Sequence, residues 1–580
     1  MALCAVSAVC ALSSCSDFLT IYPTDKIVGD DFWKTKADVD QMVDGCYLSM
    51  LSYDIQERAI MWGAYRSDEL VKRKDLNSTT LDNVSAAHLL PTMGYCSWAA
   101  FYKVINNCNI VLNHAPEVME EDPEFTQGDY QVVRAQMLAL RSLCYFYLVR
   151  AFRDVPYVST SYEDDSQIEP VAQSAPAVVL QNCLNDLEES RNYIMKTGGY
   201  GRNDWRNWGY FTLDAVNALM ADIYLWRAAM THNNADYQQV VNCADLIIDA
   251  KDTYYKKFHT EVVGSGATDK YHLEDGDMVH LTVFYFNEGN QHESILEWQF
   301  NGRNNANTAL ENLYYKSDKN ATFGTLKASP VFNSIAATAN TMDGKKLFFS
   351  KNDYRFWNNV YDAGNEDAEE MPIRKMVNAE AEMTIVTPKS AAGISKSNNR
   401  DYDNFRQNWI VYRLTDVMLM KAEALVAMAS GDTDQTPLKE AFDLVQVVNK
   451  RSMDKEAKDT LIYDNFNTKD QMELLVLAER GRELCFEGKR WWDLMRFCYR
   501  GMNGVDINQT IGQGAPQVAL RSDMLKLVLR KYSGGEGDAV QGKMVSEPYL
   551  YWPLQESETK VNNLLIQNPV WAQEQTTSKQ

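Results

Sequence analysis

The stretch Glu479-Arg-Gly-Arg-Glu-Leu-Cys-Phe-Glu-Gly-Lys-Arg-Trp-Trp-Asp-Leu-Met-Arg-Phe497 decides how the rest of this chain is read. Glu479, Glu483 and Glu487 recur every four residues, a spacing that lines three carboxylates along one face of a helix. Gly488 predicts a break, because glycine enters the left-handed conformation at little steric cost. Arg490, Trp491 and Trp492 then open a second helix, with apolar surface from Leu494, Met495 and Phe497. A carboxylate row beside two indoles suits a catalytic or sugar-stacking site. It suits equally an ion-pair network in which these acids meet Arg480, Arg482 and Arg490 and set the angle between two helices. Such networks are commoner than active sites.

Helical periodicity runs outward from this stretch. Phe101–Ala115 and Gln131–Phe152 both carry it, and in the second Val133, Met137, Leu140, Cys144, Tyr147 and Ala151 follow at spacings of three and four. Pro156 halts that helix. Phe211–Met230 has two stripes: Val216, Leu219, Ile223, Trp226 and Met230 on one, Ala218, Ala221, Leu225 and Ala229 on another. A helix apolar on two sides must be covered twice, as in stacked helix pairs. Asn234–Asp249 supplies a partner, and Val411–Ala429 and Gln471–Phe497 continue the pattern. From about Phe258 to Asn408 the periodicity lapses into Gly-, Asn- and Ser-rich sequence with strand-like pieces at Val279–Phe286 and Ser294–Phe300. The aromatic content of this middle predicts an ordered, loop-rich face rather than a disordered linker.

A chain of 580 residues can bury a large core without disulfide staples. Its formal net charge of −22 argues against nucleic acid and against electrostatic adsorption to an anionic membrane. Tyrosines (31) outnumber phenylalanines (21) and there are 13 tryptophans, a bias that suits wet binding surfaces and sugar rings as well as a large helical core. The eleven cysteines form no Cys-x-x-Cys pair and no zinc-like cluster with the seven histidines. No His-Glu-x-x-His, nucleophile elbow or phosphate-binding loop occurs. Asp164-Asp165 and Glu274-Asp275-x-Asp277 are acidic, but they lack the twelve-residue calcium-loop pattern and read as solvated loop charge. No catalytic residue, metal ligand or cofactor is therefore nominated. At the start, an apolar run of small residues ends in Leu12-Ser13-Ser14-Cys15, which looks like a lipobox cut before an acylated Cys15. No later run of ~20 consecutive apolar residues occurs.

The 479–497 stretch resembles a signature of the SusD/RagB family of surface glycan-binding lipoproteins. In that family the segment runs Glu-Arg-x-Arg-Glu-Leu-x-x-Glu-Gly-x-Arg-aromatic-aromatic-Asp-Leu. Asp17-Phe18-Leu19, Pro23, Asp31-Phe32-Trp33 and Val39–Tyr47 resemble the family's opening helix. Asp154-Val155-Pro156 matches its Gly-Asp-Val-Pro with Arg153 in place of glycine. Arg413-Leu414, Asp416 and Ala422-Glu423-Ala424 resemble a second signature, with Asp416 where glutamate is common. Pro553-Leu554-Gln555-Glu556 and Gln567-Asn568-Pro569 resemble the close, although Val570-Trp571 replaces the usual Gly-Tyr.

The resemblance implies a mainly α fold: a tetratricopeptide-like helical array with an irregular, loop-rich insertion carrying short strands. It implies a signal peptide over 1–14 and a single body over 15–580, in which a helical part (15–257), the irregular part (258–408) and a second helical part (409–580) follow one another. It implies a protein lipid-anchored through Cys15 at the outer-membrane surface, binding oligosaccharide and passing it to a SusC-type TonB-dependent transporter without catalysis. The expected mechanism is stacking of sugar faces on Tyr or Trp. The family's ligand contacts lie outside its signatures, so candidates come from position: His88 and Tyr95 before the Phe101 helix, and Tyr314, Tyr315, Arg355 and Trp357 in the irregular middle. Trp62 and Trp98, within helical patterns, are expected to be structural. Peptide cargo, a surface glycoside hydrolase and a purely structural array stay open as alternatives.

Overall fold

The computed structural model describes residues 32–572 except 165–168, 259–269, 277–278, 280–288, 301, 303, 315, 318–321, 334–348, 351, 361–370, 378–406, 455–459 and 534. The Cys15 lipobox, Tyr315 and nearly all of the Val279–Phe286 piece lie outside the described residues.

Helices packed side by side make the body. Gln127–Phe152 sits between Ala99–Glu121 and Pro176–Arg191, and Leu213–Thr231 packs on Pro176–Arg191 and on its partner Asn234–Phe258. Leu414–Met428 continues the array by packing on Asn234–Phe258, Gln435–Ser452 and Lys469–Glu483. Every residue of the two stripes expected on the Leu213–Thr231 helix is buried, so that helix is covered on both sides. Local chemistry sets the ends. Thr126 accepts a hydrogen bond from the Asp129 amide at 3.2 Å while the Asp129 carboxylate accepts from the Thr126 amide at 3.1 Å, a reciprocal cap on the longest helix. That helix is long and apolar enough to cross a membrane by composition, but 89% of its apolar window is buried in protein.

The irregular middle is tied to both helical parts by short antiparallel ladders. Leu70–Lys72 pairs with Leu326–Ala328, and Ser294–Trp298 pairs with Trp409–Arg413. The second ladder corrects the expected Val411 helix start: Val411, Tyr412 and Arg413 are strand, and the helix begins at Leu414. The eight described cysteines are free and buried.

The 479–497 stretch departs from its expected form in an instructive way. The first helix ends at Glu483, and Leu484–Lys489 forms a turn in which Phe486 (φ 65°) and Gly488 (φ 69°) take left-handed conformations. Glu487 is therefore off the helix, yet all three carboxylates enter one buried ionic network. Arg355 bridges Glu479 at 2.8 Å and Glu483 at 2.9 Å. Arg413 meets Glu483 at 2.7 Å and Glu487 at 2.8 Å, Lys375 meets Glu487 at 2.7 Å, and Arg451 also pairs with Glu483. Of the expected partners only Arg482 joins this row, on Glu479 at 2.5 Å. Arg480 turns to Asp416 (3.0 Å) and Asp493 (2.9 Å), and Arg490 to Asp68 (2.8 Å). Neighbouring cations hold Glu479, Glu483 and Glu487 below the usual carboxylate range against the opposing push of burial, and Asp416 is lowered to about 2 in the same way.

Beside the network, two backbones touch. The Tyr53–Ile60 helix runs into a single wide turn, Met61–Tyr65, with the i→i+5 bonding of a π-helix. A Cβ added to Gly63 there would stand 1.9 Å from the Gly488 carbonyl oxygen, and one on Gly488 would stand 2.6 Å from that of Ala59. Gly63→Ala should therefore destabilise the protein by at least the ~1–3 kcal/mol of an overpacked core, read as a lower urea midpoint.

Glu69 lies beside this contact with one oxygen accepting from the Phe486 amide and the other without a hydrogen-bond partner. Burial raises its carboxyl to about 8. A carboxyl whose folded value exceeds its unfolded value (~4.3) contributes stability that is lost as pH rises through that window. Glu69→Gln should gain on the wild type as pH rises from about 5 to 8 and level off above, measured by urea unfolding across pH.

Candidate functional site

The six positions nominated from sequence do not converge. Tyr314 ends the Thr308–Tyr314 helix with no exposed surface, its hydroxyl donating to the Phe486 carbonyl at 3.3 Å. Arg355 is buried in the ionic network, held also by Asp353 at 2.8 Å. Trp357 is 7% exposed and meets Phe356 edge-on at 4.8 Å. These three carry internal contacts of the core, which corrects their expected place on a binding surface. Their aromatic and cationic character served burial beside the 479–490 turn. Trp62 and Trp98 are buried, as expected. His88 is half-buried, with its Nδ1 2.9 Å from Lys543 Nζ near the C-terminal helices.

Tyr95 is half-buried and stands in a different setting, one that the sequence did not disclose. It lies in the single turn Gly94–Cys96, fixed by Trp62 Nε1 donating to its carbonyl at 2.8 Å. Across from it, the Tyr53–Ile60 helix presents Tyr53, Glu57 and Arg58. Arg58 stands 5.7 Å from the Tyr95 ring centroid, a cation–π distance, donates to the Gly94 carbonyl at 2.8 Å and pairs with Glu57. The Tyr53 hydroxyl donates to Glu57 at 3.1 Å and is also reached by Asn312 of the Thr308–Tyr314 helix, which packs on this one. Burial comes first in raising both phenols to about 12, with the Glu57 carboxylate adding to it. Tyr53 is 37% exposed, and the space over the Gly94 Cα is open.

Two phenol rings thus flank a fixed carboxylate–guanidinium pair in which Arg58 is buried and Glu57 is half-buried. The rings offer apolar faces, and Glu57 and the exposed Asn312 offer polar atoms beside them, with the buried Arg58 holding Glu57 and the Gly94 carbonyl in place. That combination has the chemistry to hold a polyhydroxylated molecule by stacking and hydrogen bonding. The residues here are suited to holding, since Glu57 is already engaged by Arg58 and Tyr53. Among the described residues no group of three or more His, Cys, Asp or Glu is placed to hold a metal ion. Glu479, Glu483 and Glu487, the carboxylates that most resembled a catalytic row, are buried with their charges matched. Only Tyr95 had been nominated. Tyr53, Glu57 and Arg58 sit in an ordinary amphipathic helix, and nothing in their spacing sets them apart.

A helical array with an aromatic, hydrogen-bonding surface defines a class of binding protein, and comparison with known proteins specifies it further. Residues 292–571 match the model described as the SusD family, and residues 17–225 match one described as starch-binding associating with outer membrane. The chain belongs to the SusD family. "SusD-like protein P38" of Formosa agariphila is 25% identical over 498 residues, covering 84% of this chain and 88% of that protein. "SusD-like protein P2" of the same organism is 20% identical over 502 residues, 84% and 88% of the two chains. Among solved structures, a SusD superfamily protein of Bacteroides thetaiotaomicron aligns with a TM-score of 0.62 at 20% identity, over 93% of this chain and 99% of that one. A laminarin-binding SusD-like protein aligns with a TM-score of 0.59 at 19% identity, over 92% and 99%. At such identities the solved structures establish the fold.

Trp357→Ala should cost about 3–5 kcal/mol through the cavity left in a packed site, seen as an earlier thermal or urea transition. A variant with unchanged stability would place that ring outside the core.

Proposed function

We propose that this protein captures glycan at the outer-membrane surface and passes it to a SusC-type TonB-dependent transporter, tethered by a lipid on Cys15. Family membership carries this reading, through the match of residues 17–225 to a model described as starch-binding associating with outer membrane. The laminarin-binding relative of the same fold supports a carbohydrate cargo. The Leu12-Ser13-Ser14-Cys15 pattern supports the anchor. Within the chain, the Tyr53/Tyr95 surface is where we place the first glycan contact, with Glu57 and Asn312 reading hydroxyls and the buried Arg58 holding Glu57 and the Tyr95 turn in position. His88 is retained as a neighbouring candidate on the same segment of chain, and Tyr315 on the irregular middle.

The protein binds and releases without making or breaking a bond, so incubation with polysaccharide should generate no new reducing ends. Appearance of such ends would move the reading to a hydrolase. Retention of peptide mixtures with no glycan retained would move it to a peptide importer.

Native gels cast with laminarin, soluble starch or xylan measure the binding itself. Tyr53→Ala with Tyr95→Ala should weaken retention by about 1–3 kcal/mol, roughly 5- to 150-fold in Kd, as two lost aromatic contacts would. Unaltered retention in a folded double variant would remove these rings from the site.

A further inference from the structure

Twelve of the thirteen tryptophans are buried, and the remaining one, Trp205, is 47% exposed. Chance exposure of single apolar side chains is common. This indole is different because it is fixed in place. It stands at the head of the short Arg206–Gly209 helix, and a Cβ added to Gly209 would lie 2.7 Å from its six-membered ring. The ring therefore rests on bare glycine backbone. Tyr210 braces it edge-on at 5.4 Å, and Tyr210 is itself stacked on Tyr47 at 4.4 Å.

The rim of this platform is polar. Asp204 and Arg206 form a two-pronged pair at 2.9 and 2.6 Å, with the Arg206 side chain 44% exposed. Arg206 also lies 4.8 Å over the ring of Tyr200, whose hydroxyl accepts from the buried Gln136 at 3.4 Å. Charge cancels at the rim. The area is that of one indole and two partly covered phenols, well short of the ~800 Å² per partner of a standard protein interface. An immobile apolar ring edged by matched donors and acceptors fits a pyranose, which has a C–H face and a hydroxyl edge.

We propose that Trp205 is the floor of a second carbohydrate site, taking a neutral sugar unit, with Asp204, Arg206 and Tyr200 bonding its hydroxyls. The site rests on the carbohydrate reading above and is separate in its residues from the Tyr53/Tyr95 surface. A net charge of −22 favours neutral over polyanionic chains here. Two sites on one chain raise retention of a long glycan above that of either alone.

The test uses laminarin, soluble starch, xylan and alginate with wild type, Trp205→Ala, Trp205→Phe and the Tyr53/Tyr95 double variant. Because Trp205 is the exposed tryptophan, iodide quenching of wild-type emission reports on it. A neutral polysaccharide retained by the wild type should protect that emission from iodide. Trp205→Ala, with its thermal transition unchanged, should bind the same polysaccharide about three- to tenfold more weakly, and Trp205→Phe should recover most of the difference. Retention by the wild type with unprotected emission and equal affinity in Trp205→Ala would overturn the second site and leave the first standing. Stronger retention of alginate than of every neutral chain would overturn the neutral-sugar assignment. Retention of none of the four by the wild type would overturn the carbohydrate reading and this site with it.

Discussion

Charge buried without a partner is the constraint on which this structure depends. Glu479, Glu483 and Glu487 lie within nine residues of sequence and have almost no exposed surface, and an isolated ionised carboxylate in such a place is prohibitively costly. The cations that meet them come from elsewhere: Arg355 and Lys375 from the irregular middle, Arg413 from the end of a strand, Arg451 from a helix end. Each pairing requires its segment to arrive at the same turn. Buried pairs contribute little net stability compared with apolar packing, but removing one partner is severe. The network therefore acts on arrangement: packings that leave one of these groups unmatched are excluded.

Two backbone positions next to the network are packed without room for a side chain. Gly63 and Gly488 bring a π-turn and the signature turn into contact at a separation no side chain permits. Arg153 solves the opposite problem. It occupies a positive-φ position (66°), a conformation that favours glycine, at a cost in strain. Its fully buried guanidinium offsets that cost by pairing with Asp154 and Glu547, each at 2.8 Å, and by donating to the Gln509 and Asp506 carbonyls. The departure at Arg153 is thus a substitution with its own compensation, one that ties the N-terminal helices to the C-terminal segment. The tail is fastened similarly: the Gln567 amide both accepts from and donates to the Leu554 backbone, and Asn568 donates to the Pro548 carbonyl.

Rigidity of this kind suits a surface that holds a ligand by stacking. Tyr95 sits on a turn pinned by Trp62, and Tyr53 on a helix that leads directly into the π-turn at Gly63. Its rings are ordered before any ligand arrives, so little side-chain entropy is left to lose on binding. The same holds for Trp205 on Gly209. Under the proposed carbohydrate reading, adaptability falls to polar groups at the rims, where donors and acceptors would meet sugars of different linkage.

The helical array was legible because double apolar stripes, as on Leu213–Thr231, have no other way to be buried. The signature was legible because its acids and bases crowd into one short stretch, where the structure draws Glu479, Glu483, Glu487, Arg480, Arg482 and Arg490 into buried ion pairs. Site residues were not legible for the same reason in reverse. Tyr314, Arg355 and Trp357 have the composition of a binding surface, yet partners distant in sequence drew them inside. Tyr53 and Trp205 have no pattern around them, and their exposure follows from which neighbours failed to cover them. Local periodicity and matched charge are properties of the chain itself, whereas accessibility is decided by contacts between segments hundreds of residues apart, and only the folded structure holds those.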